Sequence, residues 1–264
     1  MKIKFVLFII AISNSLLIYG IKPVKEYRNK PTEFKLNYEE FVIKTPDGVS
    51  LKLWLIQPTE KKANNKVIVF AYGDSGNMSY WLHHAQLFSE NGFTIVLFDY
   101  RGFGESSAFE INTDLLYYNE FSTDLVSVIK WTKHKFAGQR IGVYGFSMGT
   151  ISAAAALQNE KLDFFIAESV IYNPEDVVNY LHNTKHKTIL LPVGSNNVKG
   201  LYNNISCSML LLSGVSDEVS SPQTGKLIAN QKSNRKLVTY SGGHGQALQS
   251  LGKEYGKIIS DFIE

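Results

Sequence analysis

Six short runs of the chain are apolar without alternation, and they limit the fold more than any other feature. Lys66-Val67-Ile68-Val69-Phe70-Ala71 and Thr94-Ile95-Val96-Leu97-Phe98 are the clearest. Ile141-Gly142-Val143-Tyr144, Phe164-Phe165-Ile166-Ala167, Met209 to Leu212 and Leu237-Val238-Thr239-Tyr240 complete the set. A strand with one wet face alternates polar and apolar residues, so a continuous run needs both faces covered. Helix-like segments separate the runs: 80–90, 121–133, the alanine-rich 148–158, 222–230 and 245–263. Strands alternating with helices predict a mostly parallel sheet with helices on both faces. Ahead of them, Phe41-Val42-Ile43 and Leu51 to Ile56 flank the turn Pro46-Asp47-Gly48, which predicts an antiparallel hairpin. The expectation is an α/β fold with a mostly parallel eight-stranded sheet.

Three segments fall outside this rhythm. Residues 171–207 are polar, contain Pro174 and Pro192, and are expected to form a small lid of short helices over the sheet. Residues 22–37 are polar, with Pro23 and Pro31, and read as a linker or an arm ahead of a domain spanning 38–264. At the start, Lys2 and Lys4 precede an apolar stretch from Phe5 to Ile21, broken by Ser13-Asn14-Ser15 and Gly20. That order reads as a signal peptide or N-terminal membrane anchor over residues 1–21. The stretch is slightly short and polar in its middle for a spanning helix. It has no clean small-residue cleavage site, so a removed signal and a retained anchor both stand. Either way, the domain is expected to be exported or membrane-anchored, outside the cytoplasm.

Composition removes several functions. The net charge is +3, two of those charges are Lys2 and Lys4, and no basic stripe exists to bind nucleic acid. The single cysteine, Cys207, rules out an internal disulfide and a cysteine-based metal site, and its apolar neighbourhood reads as a small buried residue. No G-x-G-x-x-G follows the first buried run and there is no P-loop lysine, so a nucleotide-binding domain is set aside.

Chemistry enters with Gly145-Phe146-Ser147-Met148-Gly149. A G-x-S-x-G pentapeptide alone marks only a tight turn. Here it sits between a buried strand and an alanine-rich helix, the setting of a nucleophile elbow. Gly145 and Gly149 would let the strand and helix pass closely, leaving the Ser147 hydroxyl on the corner above the carboxyl edge of the sheet. A serine hydroxyl becomes a useful nucleophile only when a base takes its proton. Such a base and its orienting acid are both available on that edge. Asp217 lies in Ser213-Gly214-Val215-Ser216-Asp217-Glu218-Val219, and His244 in Ser241-Gly242-Gly243-His244-Gly245, each just past a predicted strand. The other histidines, His83, His84, His134, His182 and His186, fall in helices or the lid. Glu218 and Glu168 compete with Asp217 for the acid's role.

These motifs, with Asp99-Tyr100-Arg101-Gly102-Phe103-Gly104-Glu105-Ser106, resemble those of the α/β-hydrolase superfamily, and most nearly its small-lidded, BEM46-like serine hydrolases. The resemblance covers residues 38–264. It implies a Ser147–His244–Asp217 triad and an oxyanion hole made by the N–H groups of Met148 and of Asp74, the latter in the loop after the third strand. That loop commonly reads His-Gly-Asn, whereas this chain has Tyr72-Gly73-Asp74. A carboxylate aimed at the hole would oppose the developing charge, so the Asp74 side chain is expected to turn away and bond loop amides. Asp99 and Arg101 are expected to hold loops rather than touch substrate. The implied activity is hydrolysis of a small-molecule carboxylic ester or thioester through an acyl-enzyme, with no metal or organic cofactor. Two alternatives remain: a small peptidase or amidase of the same fold, and a non-catalytic, membrane-associated binding module.

Overall fold

A computed structural model describes residues 20–264. The predicted signal or anchor lies outside the described residues, apart from Gly20 and Ile21. The strands are β1 Lys22–Pro23, β2 Asn37–Lys44, β3 Ser50–Gln57, β4 Lys66–Ala71, β5 Ser75–Gly76, β6 Thr94–Phe98, β7 Arg140–Phe146, β8 Phe164–Glu168, β9 Ser208–Gly214 and β10 Arg235–Tyr240. The helices are α1 Leu82–Glu90, α2 Glu120–Lys135, α3 Met148–Ala156, α4 Pro174–Lys185, α5 Val198–Asn204, α6 Pro222–Ala229, α7 Ala247–Leu251 and α8 Lys253–Ile263.

The main sheet has eight strands in the order β10-β9-β8-β7-β4-β6-β3-β2. Only the pairings β2–β3 and β3–β6 are antiparallel. Every run read as doubly covered is a parallel strand of this sheet, but β10 is its edge and is not covered on both faces, with Lys236 and Thr239 exposed; the predicted hairpin is β2–β3. This is the α/β-hydrolase fold. Val67 to Ala71 and Ile95 to Phe98 are fully buried. Phe70 and Tyr144, on adjacent central strands, pack with ring centroids 4.6 Å apart and planes tilted by 31°. Each such aromatic contributes about 1.5–3 kcal/mol by leaving water.

Two helix boundaries differ from the sequence reading. The first helix opens with a 3₁₀ turn, Met78–Trp81, capped by the Asn77 side chain, which accepts from the Ser79 N–H. The single helix expected over 245–263 is two, because Gly252 turns the chain at φ 53°. The lid consists of α4, a 3₁₀ turn at Ser195–Asn197 and α5. A backbone bridge ties Leu190 of this region to Leu115.

Residues 22–37 are no free linker. They cross the domain as an arm, with β1 paired to β5 in parallel, before β2 begins at Asn37. The polar composition that suggested a linker belongs to side chains, whereas the strand pairing is made by backbone groups, with the Tyr27 hydroxyl adding a bond to Asp99. Among the described residues, no helix is long and apolar enough to cross a membrane.

Candidate active site

Parallel strands β7, β9 and β10 end on the same edge of the sheet, and the loops leaving them carry Ser147, Asp217 and His244. Ser147 joins β7 to α3 with φ 51° and ψ −121°. A non-glycine residue with positive φ is strained, and such residues concentrate at functional sites. Its N–H donates to the Glu168 carbonyl at 3.1 Å, and its own carbonyl accepts from the Thr150 N–H and hydroxyl. The turn is as crowded as its glycines suggested. A Cβ on Gly149 would lie 1.9 Å from the Ala71 carbonyl oxygen, and one on Gly145 would lie 3.0 Å from the Phe165 ring.

The three predicted residues meet. Ser147 Oγ is 2.9 Å from His244 Nε2, and His244 Nδ1 is 3.0 Å and 3.2 Å from the two carboxylate oxygens of Asp217. Ser147 and Asp217 are buried, at 6% and 4% exposure, and His244 is half-buried. Asp217 Oδ1 also accepts from the N–H groups of Val219 and Ser220, and Oδ2 from the Ser220 hydroxyl at 2.7 Å. Burial pushes this carboxyl up. The hydrogen bond and charge of His244, with the Ser220 hydroxyl and amide, outweigh it and hold the group below the usual carboxylate range. An ionised carboxylate only accepts, so His244 Nδ1 carries the proton and Nε2 is free to accept from Ser147.

The competing acids are engaged elsewhere. Glu218 accepts from the Tyr180 hydroxyl. Glu168 is fully buried; it accepts from the Tyr144 and Tyr255 hydroxyls, each at 2.7 Å, and from the Ala247 N–H at 3.3 Å. Burial raises its pKa against the lowering effect of the two tyrosines. Its contribution is to the loop that carries His244. The neighbouring Ser169 also holds that loop, its hydroxyl accepting from the Gly245 N–H at 3.1 Å.

The two predicted oxyanion donors lie on segments next to Ser147. Met148 opens α3, where the first N–H groups lack intrahelical partners and the helix dipole favours negative charge. The other side is the loop after β4. There a Cβ on Gly73 would stand 3.6 Å from Ser147 Cβ. Burial pushes the Asp74 carboxyl up to about 6, against the lowering effects of the His244 charge and of its own backbone N–H.

Sequence reasoning missed Ser220, Ser169 and Tyr27. A serine three residues after the acid was the only available signal for Ser220. Asp99 and Arg101 hold loops: Asp99 accepts from Tyr27, Tyr72 and Met78, and Arg101 pairs with Asp124 and Asp47. His83 and His84 lie in α1, His134 in α2, His182 in α4, and His186 at the end of α4. Burial pushes the Cys207 thiol up to about 11, which leaves it protonated at neutral pH. A cavity of about 310 Å³ lies between the lid and α3, lined by Tyr117, Tyr118, Ile151, Val193 and Leu201 among others. Ile151 is one helical turn beyond Ser147, about 6 Å along the axis. Tyr72 is fully buried with its hydroxyl on Asp99.

Comparisons with known proteins agree with this architecture. A family model described as the alpha/beta hydrolase fold matches residues 66–190. The chain is 23% identical over 251 residues to protein bem46 of Schizosaccharomyces pombe, covering 88% of this chain and 79% of that one. An uncharacterized membrane protein of Saccharomyces cerevisiae is 24% identical over 247 residues, covering 90% and 84%. The structure superposes on an esterase from Pyrococcus furiosus with a TM-score of 0.77 at 20% identity, covering 92% of this chain and 97% of that one. The chain therefore has the α/β-hydrolase fold and is similar to BEM46 proteins.

Proposed function

We propose that this protein is a serine hydrolase that cleaves small carboxylic esters or thioesters through an acyl-enzyme. One observation carries the reading: the 2.9 Å approach of Ser147 Oγ to His244 Nε2, at a serine held with positive φ on the N-terminus of a helix. His244 Nε2 takes the hydroxyl proton as Ser147 Oγ attacks the acyl carbon, and Asp217 stabilises the imidazolium through Nδ1–H. The N–H groups of Met148 and Asp74 donate to the tetrahedral oxyanion. His244 then protonates the leaving oxygen or sulfur. Water, deprotonated by the same nitrogen, attacks the acyl-enzyme, and Ser147 regains its proton. No step needs a group from outside the chain other than water. The fold shared with an esterase supports an acyl substrate.

The apolar run after Lys2 and Lys4, and a relative named as a membrane protein, support a domain exported or tethered through its N-terminus. Recovery of the full chain in the soluble cytoplasmic fraction would overturn that part.

The test is fluorophosphonate labelling of the full chain beside Ser147→Ala and His244→Ala, followed by p-nitrophenyl esters, thioesters and p-nitroanilides. Labelling and ester turnover by wild type, abolished in both variants, is the expected result. A folded wild type that neither labels nor turns over esters sinks the proposal, and turnover of the anilides alone replaces it with an amidase.

A further inference from the structure

We propose that the N-terminal arm, residues 20–28, is a positioning element of the active site that sets the geometry of the oxyanion loop, residues 72–78. The inference rests on the serine-hydrolase reading, because it concerns the loop that contributes the Asp74 N–H.

Backbone bonds lace the arm to the loop. The Lys22 N–H donates to the Asp74 carbonyl at 2.8 Å and the Val24 N–H to the Gly76 carbonyl at 2.9 Å, with Lys22 opposite Ser75 and Pro23 opposite Gly76. The loop reaches back through Asn77, whose side-chain amide donates to the carbonyls of Val24 at 3.0 Å and Glu26 at 2.8 Å. Asn77 is fully buried, so this residue is a strut and the Asn-x-Ser match it begins is not open to a glycan.

The arm is itself fixed at both ends. Ile21 is fully buried, and the N–H groups of Gly20 and Ile21 both donate to the Thr113 carbonyl. At the other end, the Arg28 N–H donates to the Ser79 hydroxyl, and the Tyr27 hydroxyl donates to Asp99 at 2.6 Å. Asp99 in turn receives the Tyr72 hydroxyl and the Met78 N–H, which bracket the loop. The Asp74–Ser75 peptide plane is thus held from outside by a strand that precedes the hydrolase domain in sequence.

This matters because a preorganised donor loses its value when it drifts. Removing one oxyanion donor typically costs about 10²–10³ in rate, and a misplacement of about 1 Å can cost about 10². A loose cover over the loop would have no such effect.

Two variants of the full chain test the point. Asn77→Asp keeps the acceptor that caps Ser79 but replaces the two donated bonds with an oxygen facing two carbonyls. Tyr27→Phe removes the hydroxyl's bond to Asp99 and the one it accepts from the Glu105 N–H, and leaves the ring against Trp54, 4.6 Å away. Amide hydrogen exchange over 72–78, with β7 as control, is read together with kcat and KM for a p-nitrophenyl ester. The expected result for Asn77→Asp is exchange faster by about tenfold or more in the loop and not in β7. Its kcat should fall about 10²-fold with KM within about threefold of wild type. Tyr27→Phe should move both readouts in the same direction by less, and it serves as the test if Asn77→Asp does not fold. Unchanged loop exchange overturns the inference, as does faster loop exchange with wild-type kcat. A wild type without turnover or Ser147 labelling removes the serine-hydrolase reading and this inference with it.

Discussion

Replacing Asp217 with asparagine separates orientation from charge, and the structure says which way the new amide must face. Oδ1 accepts two backbone N–H groups, from Val219 and Ser220, at 2.9 Å and 2.8 Å. An amide nitrogen in that place would meet two donors, so the asparagine oxygen takes the Oδ1 position. Its NH₂ then occupies the Oδ2 position, 3.0 Å from His244 Nδ1 and 2.7 Å from the Ser220 hydroxyl. The hydroxyl can rotate to accept. The nearer partner of Nδ1 is now a donor and the oxygen is left at 3.2 Å, already shared by two amides, which favours the proton on Nε2 and leaves nothing there to receive the proton of Ser147. The wrong tautomer typically costs about 10⁴ in kcat, or about 5 kcal/mol of transition-state stabilisation. The assay is kcat on an activated ester for wild type and Asp217→Asn, with melting temperatures to confirm the fold and ¹⁵N shifts of the imidazole to report the tautomer. A variant that keeps kcat within about tenfold of wild type would refute the tautomer argument and return Glu168 to consideration as the acid.

Two further outcomes rest on packing and burial. Gly149→Ala drives a methyl to 1.9 Å from the Ala71 carbonyl and 2.5 Å from that of Tyr72, both backbone atoms that cannot swing aside. A loss of about 3 kcal/mol in urea unfolding is expected, with loss of Ser147 labelling, and a change under about 0.5 kcal/mol would contradict the packing account. Burial pushes the Asp99 carboxyl up from 3.8 to about 6, so the folded protein binds the extra proton between those values. Its stabilising contribution is present below about pH 4 and lost as pH rises through about 6, worth about 3 kcal/mol in all. Asp99→Asn should therefore gain stability relative to wild type by that amount between about pH 4 and pH 7. A pH-independent difference in denaturation free energy would show that Asp99 is ionised throughout.

Much of the layered architecture could be read from apolar runs because burial on both faces of a parallel strand leaves no polar position to hide it. Ser147, Asp217 and His244 were legible for a related reason: each comes just after a run whose carboxyl end falls on one edge of the sheet. Their supports were not legible in the same way. Glu168 and Ser169 at the end of β8, and Ser220 in the loop before α6, are polar residues indistinguishable in sequence from many others until the fold aims them at the Ala247 amide, at the Gly245 amide and at Asp217. The break at Gly252 was hidden because apolar spacing continues on both sides of it.

The order of residues alone specifies the α/β class, the succession of the chemistry-bearing loops and the residue types able to move a proton from Ser147. Those properties are local, set by periodicity and by the few residues after each strand. Folding in three dimensions selects which carboxylate meets His244 and that residues 22–37 are an arm rather than a linker. These depend on contacts between distant segments, such as Lys22 with Asp74 and Tyr27 with Asp99. Such contacts are made by backbone groups that every residue carries, or by single hydroxyls, so side-chain pattern does not encode them.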